Sequence, residues 1–285
     1  MKEESNEWTT IIRPKSNIFD LKLREIWEYR DLIMIFVNKE IVSFYKQTIL
    51  GPLWFFIQPL LTTLVYTIVF GKIAGIPTDG KPPILFYLSG IVIWNFFSDC
   101  LLASSNTFIT NAAVFGKVYF PRVISPLSKV ISNLLKLFIQ IGLFLLIYLY
   151  YLWKGGIHFN MHPLIVIILP LCITIAAIIG LAWGMIISSL TTKYRDLVFL
   201  VTFGVQLLMY ATPVIYSMNK LSGTKYYTIL KLNPLTGIIE SFRSVLFGEH
   251  FNVELLMYSL VLSVISLLLG IIIFNNVEKG FIDTV

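Results

Sequence analysis

The sequence predicts an all-α polytopic membrane protein with six transmembrane helices, and three observations lead there. Charged side chains are absent from residues 47–71, 155–192, 197–219 and 255–277, and the stretches 82–116 and 137–153 hold only Asp99 between them. These runs reach or approach the roughly 20 helical residues needed to cross a hydrocarbon core about 30 Å thick. Hydrophobic residues make up 56% of the chain and charged residues 13%, too apolar for a soluble domain of 285 residues. Lys and Arg are also unevenly shared between alternate connections. With both termini cytoplasmic, 14 lie inside and 7 outside, Lys136 falling within a span. The net charge of +6 then reads as affinity for an anionic inner leaflet, not for nucleic acid.

The elements follow in order. Residues 1–50 form a polar, charge-rich cytoplasmic segment, without the apolar core and small-residue cleavage site of a signal peptide. Within it, 1–19 read as irregular and 20–46 as an amphipathic helix lying on the membrane, with Asp20 as N-cap. Ile26, Tyr29, Ile33, Phe36, Val37 and Phe44 recur at helical spacing, while Arg24, Glu28, Asp31, Asn38 and Lys39 take other faces. Such a helix serves as a juxtamembrane anchor or as a docking surface for a cytoplasmic partner. Residues 51–285 form the transmembrane domain, with spans near 52–72, 83–108, 127–153, 163–190, 197–217 and 252–275. Pro52 opens the first span at no cost, and Pro59 removes one backbone hydrogen bond and kinks it. The basic, aromatic stretch 110–126 is long enough for one short helix across the cytoplasmic surface. Gly180, Gly184 and Ser188 form a small-residue stripe suited to close helix packing, within the subunit or beyond it. On the outer side, Asn233-Pro234 marks a helix start. Leu235, Ile238, Ile239, Phe242, Leu246 and Phe247 follow as an apolar stripe, with Glu240 and Arg243 elsewhere at i,i+3. That stripe dips back toward the membrane, where irregular backbone must be covered by protein or line a cavity.

The chemistry-bearing motifs are mostly missing. The phosphate-cradling Gly-x4-Gly-Lys-Ser/Thr loop is absent, as are His-Glu-x-x-His, Gly-x-Ser-x-Gly and Cys-x-x-Cys. No catalytic residue and no metal ligand set is expected. His158, His162 and His250 fall in outer loops without spaced partners, and Cys100 and Cys172 lie inside spans as small packing residues. Asp99 and Lys136 are ionisable at membrane depth, a functional signal by default, though both fall in the cytoplasm-proximal half of their spans, where snorkelling or mutual pairing suffices to account for them. No ladder of charges suited to proton coupling is present, so energy for any transport comes from elsewhere. Aromatic residues crowd the first two spans. They serve either as stacking platforms for sugars or as interfacial belts.

An ordered set of segments resembles one family, the type-2 ABC-transporter permeases that export lipid-linked O-antigen, capsular polysaccharide or teichoic acid. It runs from Arg30-Asp31-Leu32 through Tyr45-Lys46-Gln47-Thr48-Ile49-Leu50-Gly51-Pro52-Leu53-Trp54 to Gln58-Pro59-Leu60, Val69-Phe70-Gly71-Lys72, Ser89-Gly90 with Trp94, and Asn111. It continues through Lys117-Val118-Tyr119-Phe120-Pro121-Arg122, Pro126-Leu127-Ser128, Tyr194-Arg195-Asp196, Thr212-Pro213-Val214-Ile215-Tyr216, Leu232-Asn233-Pro234-Leu235, Phe242-Arg243 and the tail Glu278–Asp283. Departures are Pro82-Pro83-Ile84 in place of the family's Pro-Tyr, and Phe115-Gly116 where a further basic residue is usual before Lys117.

The resemblance implies a homodimer of six-helix subunits in the bacterial inner membrane, with a separate ATPase under each. ATP and Mg would be held by those partners and no cofactor by this chain. It implies coupling to the ATPase through Arg30 and Asp31, Lys117, Tyr119, Phe120, Pro121 and Arg122, and Tyr194, Arg195 and Asp196. The segment 218–247 resembles re-entrant gate helices, with Pro213, Tyr216, Asn233, Pro234 and Arg243 at the outer gate. The glycan path is expected along Trp54, Tyr66 and Trp94, which combine a stacking face with a polar handle. The function implied is outward export of a lipid-linked polysaccharide, entering from the inner leaflet with its anionic diphosphate against basic cytoplasmic residues. A small-molecule or drug exporter is the alternative. A membrane enzyme acting on lipid-linked sugars is a further one, although the paired carboxylates or His-Asp constellation it needs are missing.

Overall fold

The computed structural model describes residues 23–46, 49–115, 117–118, 120–157, 161–194 and 196–281. Asp20, Tyr119, His158 and Arg195, and the side chain of Phe44, lie outside the described residues. The described residues form helices and connections without strands. In chain order the helices are α1 (Leu23–Glu28), α2 (Arg30–Lys46), α3 (Trp54–Tyr66), α4 (Pro83–Ser105), α5 (Thr107–Phe115), α6 (Ile124–Trp153), α7 (Ile165–Thr191), α8 (Leu197–Tyr210), α9 (Lys225–Lys231), α10 (Pro234–Leu246) and α11 (Val253–Phe281). A 3-10 turn at Gly51–Leu53 leads into α3, and a π-helical stretch at Thr67–Ile73 extends it.

Five of these segments are long and apolar enough to cross a bilayer: Gly51–Ile73, Pro83–Ser105, Ile124–Trp153, Ile165–Thr191 and Val253–Val277. The fifth expected span, 197–217, is shorter than its sequence suggested. Helix α8 has 14 residues, about 21 Å at 1.5 Å per residue. Its C-terminal part turns out of the helix because Pro213 brings no N–H. The hydroxyl of Thr212 instead donates to the carbonyl of Leu208 (2.7 Å), and Val214 N–H donates to the carbonyl of Thr212 (2.7 Å).

Helix α4 is the axis of the bundle. Every residue from Leu85 to Trp94 is buried, against α7, α6, α10 and α3. The small-residue stripe on α7 serves this packing inside the subunit. A Cβ added to Gly184 would stand 2.4 Å from the Cβ of Ser104 and 2.8 Å from the carbonyl of Leu101. Without side chains there, the two backbones meet directly, which is how helices gain contact where lipid is as apolar as protein. Asp99 and Lys136 lie 3.6 Å apart between α4 and α6, so pairing accounts for both. Cys100 and Cys172 are free and buried.

Candidate functional site

Because α4 runs from the neighbourhood of α10 to α5, the bundle has two functional ends. At the α2–α5 end, Ile33 and Val37 of α2 are buried in a cluster with Phe108, Phe115, Phe120, Ile124, Met185 and Phe274. Phe36 meets Phe120 edge-on at 5.7 Å. The stripe expected to lie in the membrane surface is therefore taken up by the chain's own aromatic segment. Met34, Ile35 and Val42 on the rest of α2, and Trp27 on α1, are exposed. Glu40 reaches Lys129 of α6 and ties the two helices together. Arg30 and Asp31 are exposed, 4.0 Å from each other.

The expected short surface helix is α5, which continues α4 after one non-helical residue, Asn106. Asn111 Nδ2 donates to Ser125 Oγ (2.8 Å) and fixes α5 to the start of α6. Beyond Phe115 the chain turns back on itself. Lys117 and Val118 stand out at the tip, whereas Phe120, Pro121 and Arg122 fold inward. Arg122 is only 6% exposed, its guanidinium 5.5 Å from the centre of the Phe115 ring. A cation held over an aromatic face behind a long aliphatic stem is a packing element. Of the residues expected to couple to the ATPase, Phe120, Pro121 and Arg122 are thus buried within the chain, where they anchor the tip. Tyr194, with Lys193 over its ring at 5.3 Å, and Asp196 are exposed.

At the other end, Asn233 caps α10. Its Oδ1 accepts from Leu235 N–H (3.0 Å), with Pro234 at the first helical position. Its amide donates to the Ala211 carbonyl (3.0 Å) and Thr212 Oγ1 (2.9 Å), joining the start of α10 to the end of α8. The expected apolar stripe is buried against α4, α7 and α11 from Leu235 to Leu246, with Phe247, just past the helix, half-buried. Tyr216 donates to the Tyr210 carbonyl (3.2 Å), and Pro213 is buried beneath.

The expected Glu240–Arg243 pair is present at 3.4 Å, but it is not on the open face of the helix. Arg243 is 2% exposed. Its guanidinium lies 3.9 Å from the Phe86 ring centre and donates to the Val214 carbonyl (3.1 Å) and Ser89 Oγ (3.5 Å). Gly90 leaves the room for it: a Cβ there would be 2.9 Å from Nη2. Burial pushes the Glu240 carboxyl up from its ordinary value, against the opposing pull of Arg243 and then Lys81.

Three further residues join this end without having been singled out in the sequence. Lys81 Nζ is 2.6 Å from Glu249. Asp79 accepts from Ser217 and from Asn219 (3.2 Å). Asp79-Gly80 is a turn signal, and Asp79 does adopt a left-handed conformation at φ 52°. Its partners are 138 and 140 residues away, however, and nothing local announces them.

The aromatic residues divide. Trp54 is 46% exposed. Tyr66 is half-buried, its hydroxyl 3.5 Å from the sulfur of Met209 and its ring edge-on to Phe70 and Tyr87. Trp94, at 5% exposure, packs on Phe97 inside α4's core contacts and is withdrawn from any open face of the subunit. Open apolar faces occur on several helices: on α3 and its extension through Leu61, Val65 and Ile68, on α8 through Phe199, Phe203 and Tyr210, and also on α6 through Phe138, Leu146 and Leu149 and on α11 through Met257, Val261 and Leu268. Among the described residues, no group of three His, Cys, Asp or Glu converges to hold a metal ion.

The sequence profile of the ABC-2 type transporters matches residues 31–247. The chain is 27% identical over 261 residues to an O-antigen export system permease protein RfbA of Klebsiella pneumoniae, covering 89% of this chain and 94% of that one. It is 26% identical over 266 residues to the protein of that name from Myxococcus xanthus, covering 92% and 98%. It is 20% identical over 250 residues to the polysialic acid transport protein KpsM of Escherichia coli, covering 86% and 93%. With the profile spanning most of its length, and with a bundle of apolar helices built to match, the chain belongs to the ABC-2 type transporter family.

Proposed function

We propose that this chain is the membrane permease subunit of an ATP-driven exporter that moves a lipid-linked polysaccharide outward across the bacterial inner membrane. The observation that carries the reading is its likeness, nearly end to end, to permeases named for O-antigen and polysialic acid. The chain has no phosphate-cradling loop of its own, so ATP and Mg are held by two separate ATPase subunits and no cofactor by this one. Two copies form a homodimer, with the exposed faces of α3 and α8 toward the partner copy and the passage. Both termini are cytoplasmic, following the excess of Lys and Arg on that side. The α2–α5 end then faces the ATPases and the α9–α10 end is the exit.

In this reading the exposed tip at Lys117–Val118, with Arg30, Asp31, Tyr194 and Asp196, touches the ATPase. The packed group Phe115, Phe120 and Arg122 passes its displacement to α2, α6 and α11. The test is reconstitution of the chain with its co-encoded ATPase in bilayer discs, followed by ATP hydrolysis with added lipid-linked glycans. Stimulation by a lipid-linked polysaccharide is expected. Stimulation by small amphiphiles and not by any glycan would move the chain to the small-molecule exporters. ATP hydrolysis by the pure chain alone would end the reading.

A further inference from the structure

Between the turn at Asp79–Lys81, the segment Ser217–Asn219, the middle of α10 and residues 249–252 lies a cavity of about 130 Å³. A water molecule takes about 30 Å³ in the liquid, so this space suits something larger than one ordered solvent molecule. Pockets for small molecules are mostly apolar, with a few polar groups to orient the ligand. Here the balance is reversed. Three carboxylates (Asp79, Glu240, Glu249) and two cations (Lys81, Arg243) line one space, with the Tyr227 ring beside them.

The charges are positioned by each other. Lys81 holds Glu249 at 2.6 Å, Arg243 holds Glu240 at 3.4 Å, and Ser217 and Asn219 hold Asp79. An ionised carboxylate has about four lone-pair sites, so these contacts leave acceptor capacity on all three groups. A free anion is disfavoured by an excess of carboxylates over cations. A bare metal ion is disfavoured because no three ligating side chains converge among the described residues. A neutral molecule rich in hydroxyls suits the lining. Its paired O–H groups donate to fixed carboxylates, its oxygens accept from Lys81 and Arg243, and its ring face rests on an aromatic side chain.

We propose that this cavity binds one sugar residue of the exported chain on the exit side of the subunit. The inference rests on the polysaccharide-export reading and adds a defined subsite to it, separate from the aromatic faces of α3. Each subunit carries its own copy, so the emerging chain is offered two polar holding points outside the bilayer core.

Photo-crosslinking in cells that make their own glycan tests this. The photoreactive p-benzoylphenylalanine replaces Tyr227, which lines the cavity, in the complete permease–ATPase complex. Parallel samples carry it at Tyr226, an exposed neighbour outside the lining, and at Trp54. After illumination the purified permease is stained for covalently attached glycan. Adduct at Tyr227 roughly tenfold above Tyr226 is expected, falling roughly tenfold with Glu249→Gln, as loss of one hydrogen bond to a charged group implies. Asp79→Asn serves the same purpose should Glu249→Gln not co-purify with the ATPase. Adduct at Trp54 with none at Tyr227 above the Tyr226 level overturns the subsite and leaves the exporter reading standing. Adduct at none of the three positions overturns both.

Discussion

Replacing Arg243 with Met tests whether the α9–α10 end is clamped by a buried charge. Methionine keeps much of the apolar stem and removes the guanidinium. Glu240 loses its neighbouring cation, and the Val214 carbonyl and Ser89 hydroxyl lose a donor. Removing one partner of a buried ion pair costs about 3–5 kcal/mol. The interaction with Phe86, worth about 2 kcal/mol when desolvated, is part of the same loss and is not added to it. For a domain of this size, where each kcal/mol moves the melting temperature by about 2–4 °C, the variant melts roughly 10 °C below the parent. The assay is fluorescence-detected size-exclusion chromatography of the complex after fixed heating times, which ranks variants even where unfolding is irreversible. Adding Glu240→Gln to Arg243→Met removes the stranded carboxylate and recovers about half of the loss. An Arg243→Met variant melting within about 2 °C of the parent would refute the clamp. So would a double variant with no recovery.

The same pair gives a pH dependence with a definite sign. Burial already raises the Glu240 carboxyl, and Arg243 is the strongest influence lowering it. Without Arg243 the carboxyl is raised further. A carboxyl raised in the fold keeps its proton over a pH range in which the unfolded chain has lost it. Stability is then greatest below the ordinary carboxylate value and falls as pH rises from there through the folded-state value. The Arg243→Met deficit is therefore smaller at pH 5 than at pH 8.

The remaining expectations concern the other end, the passage and the copy-to-copy face. Lys117→Glu weakens ATPase co-purification while leaving the heat stability of the permease unchanged. Arg122→Glu lowers heat stability first, because it places a carboxylate against Phe115; equal heat stability of the two variants would contradict the inward packing of Arg122. Trp94→Ala costs about 3–5 kcal/mol of stability as a core truncation. Trp54→Ala lowers export of long glycans without that cost, and a Trp54→Leu variant exporting normally would remove stacking as the reason. Gly204 on α8 has no atom within 4 Å of an added Cβ, so tryptophan there leaves one subunit folded but dissociates the proposed homodimer, read by mass photometry; an intact dimer would place the interface elsewhere.

What the sequence revealed was governed by local chemistry. The spans were legible because hydrocarbon excludes charge along a whole segment. The start of α10 was legible because Asn233-Pro234 satisfies the helix terminus within two residues. The pairing of Asp99 with Lys136 was one of two readings the sequence left open, beside snorkelling, because two opposite charges at similar depth permit either; the packing of α4 on α6 selects it. Less was legible where a local pattern has two possible destinations. An apolar stripe on α2 looks the same whether it meets lipid or Phe120. Lys117 and Arg122 look alike as basic residues, yet one is at the tip and the other over Phe115. Trp94 shares the composition of Trp54, but α4 turned out to be covered on every side. The Asp79–Ser217 and Lys81–Glu249 contacts depend on which helices neighbour each other, information that no local window contains.

The distribution of burial also constrains how such a subunit can move. Close backbone contacts, such as Gly184 on Ser104 and Gly237 on the Leu255 carbonyl (2.4 Å from an added Cβ), lock α7 to α4 and α10 to α11. Packed interiors transmit displacement and do not absorb it. Helices α4, α7, α10 and α11 therefore behave as one body, and the aromatic cluster joins α2, α5 and the start of α6 to it. Helix α10 is packed into that body, held by Arg243 and Asn233. The segments with least internal packing are α3, its π-helical extension and α8, whose outward faces are apolar and uncovered. In the proposed homodimer, a passage opened by ATP binding would form along these faces, between copies, as two stiff bodies shift relative to each other. A polymer of variable length can then pass without any single subunit reorganising its core.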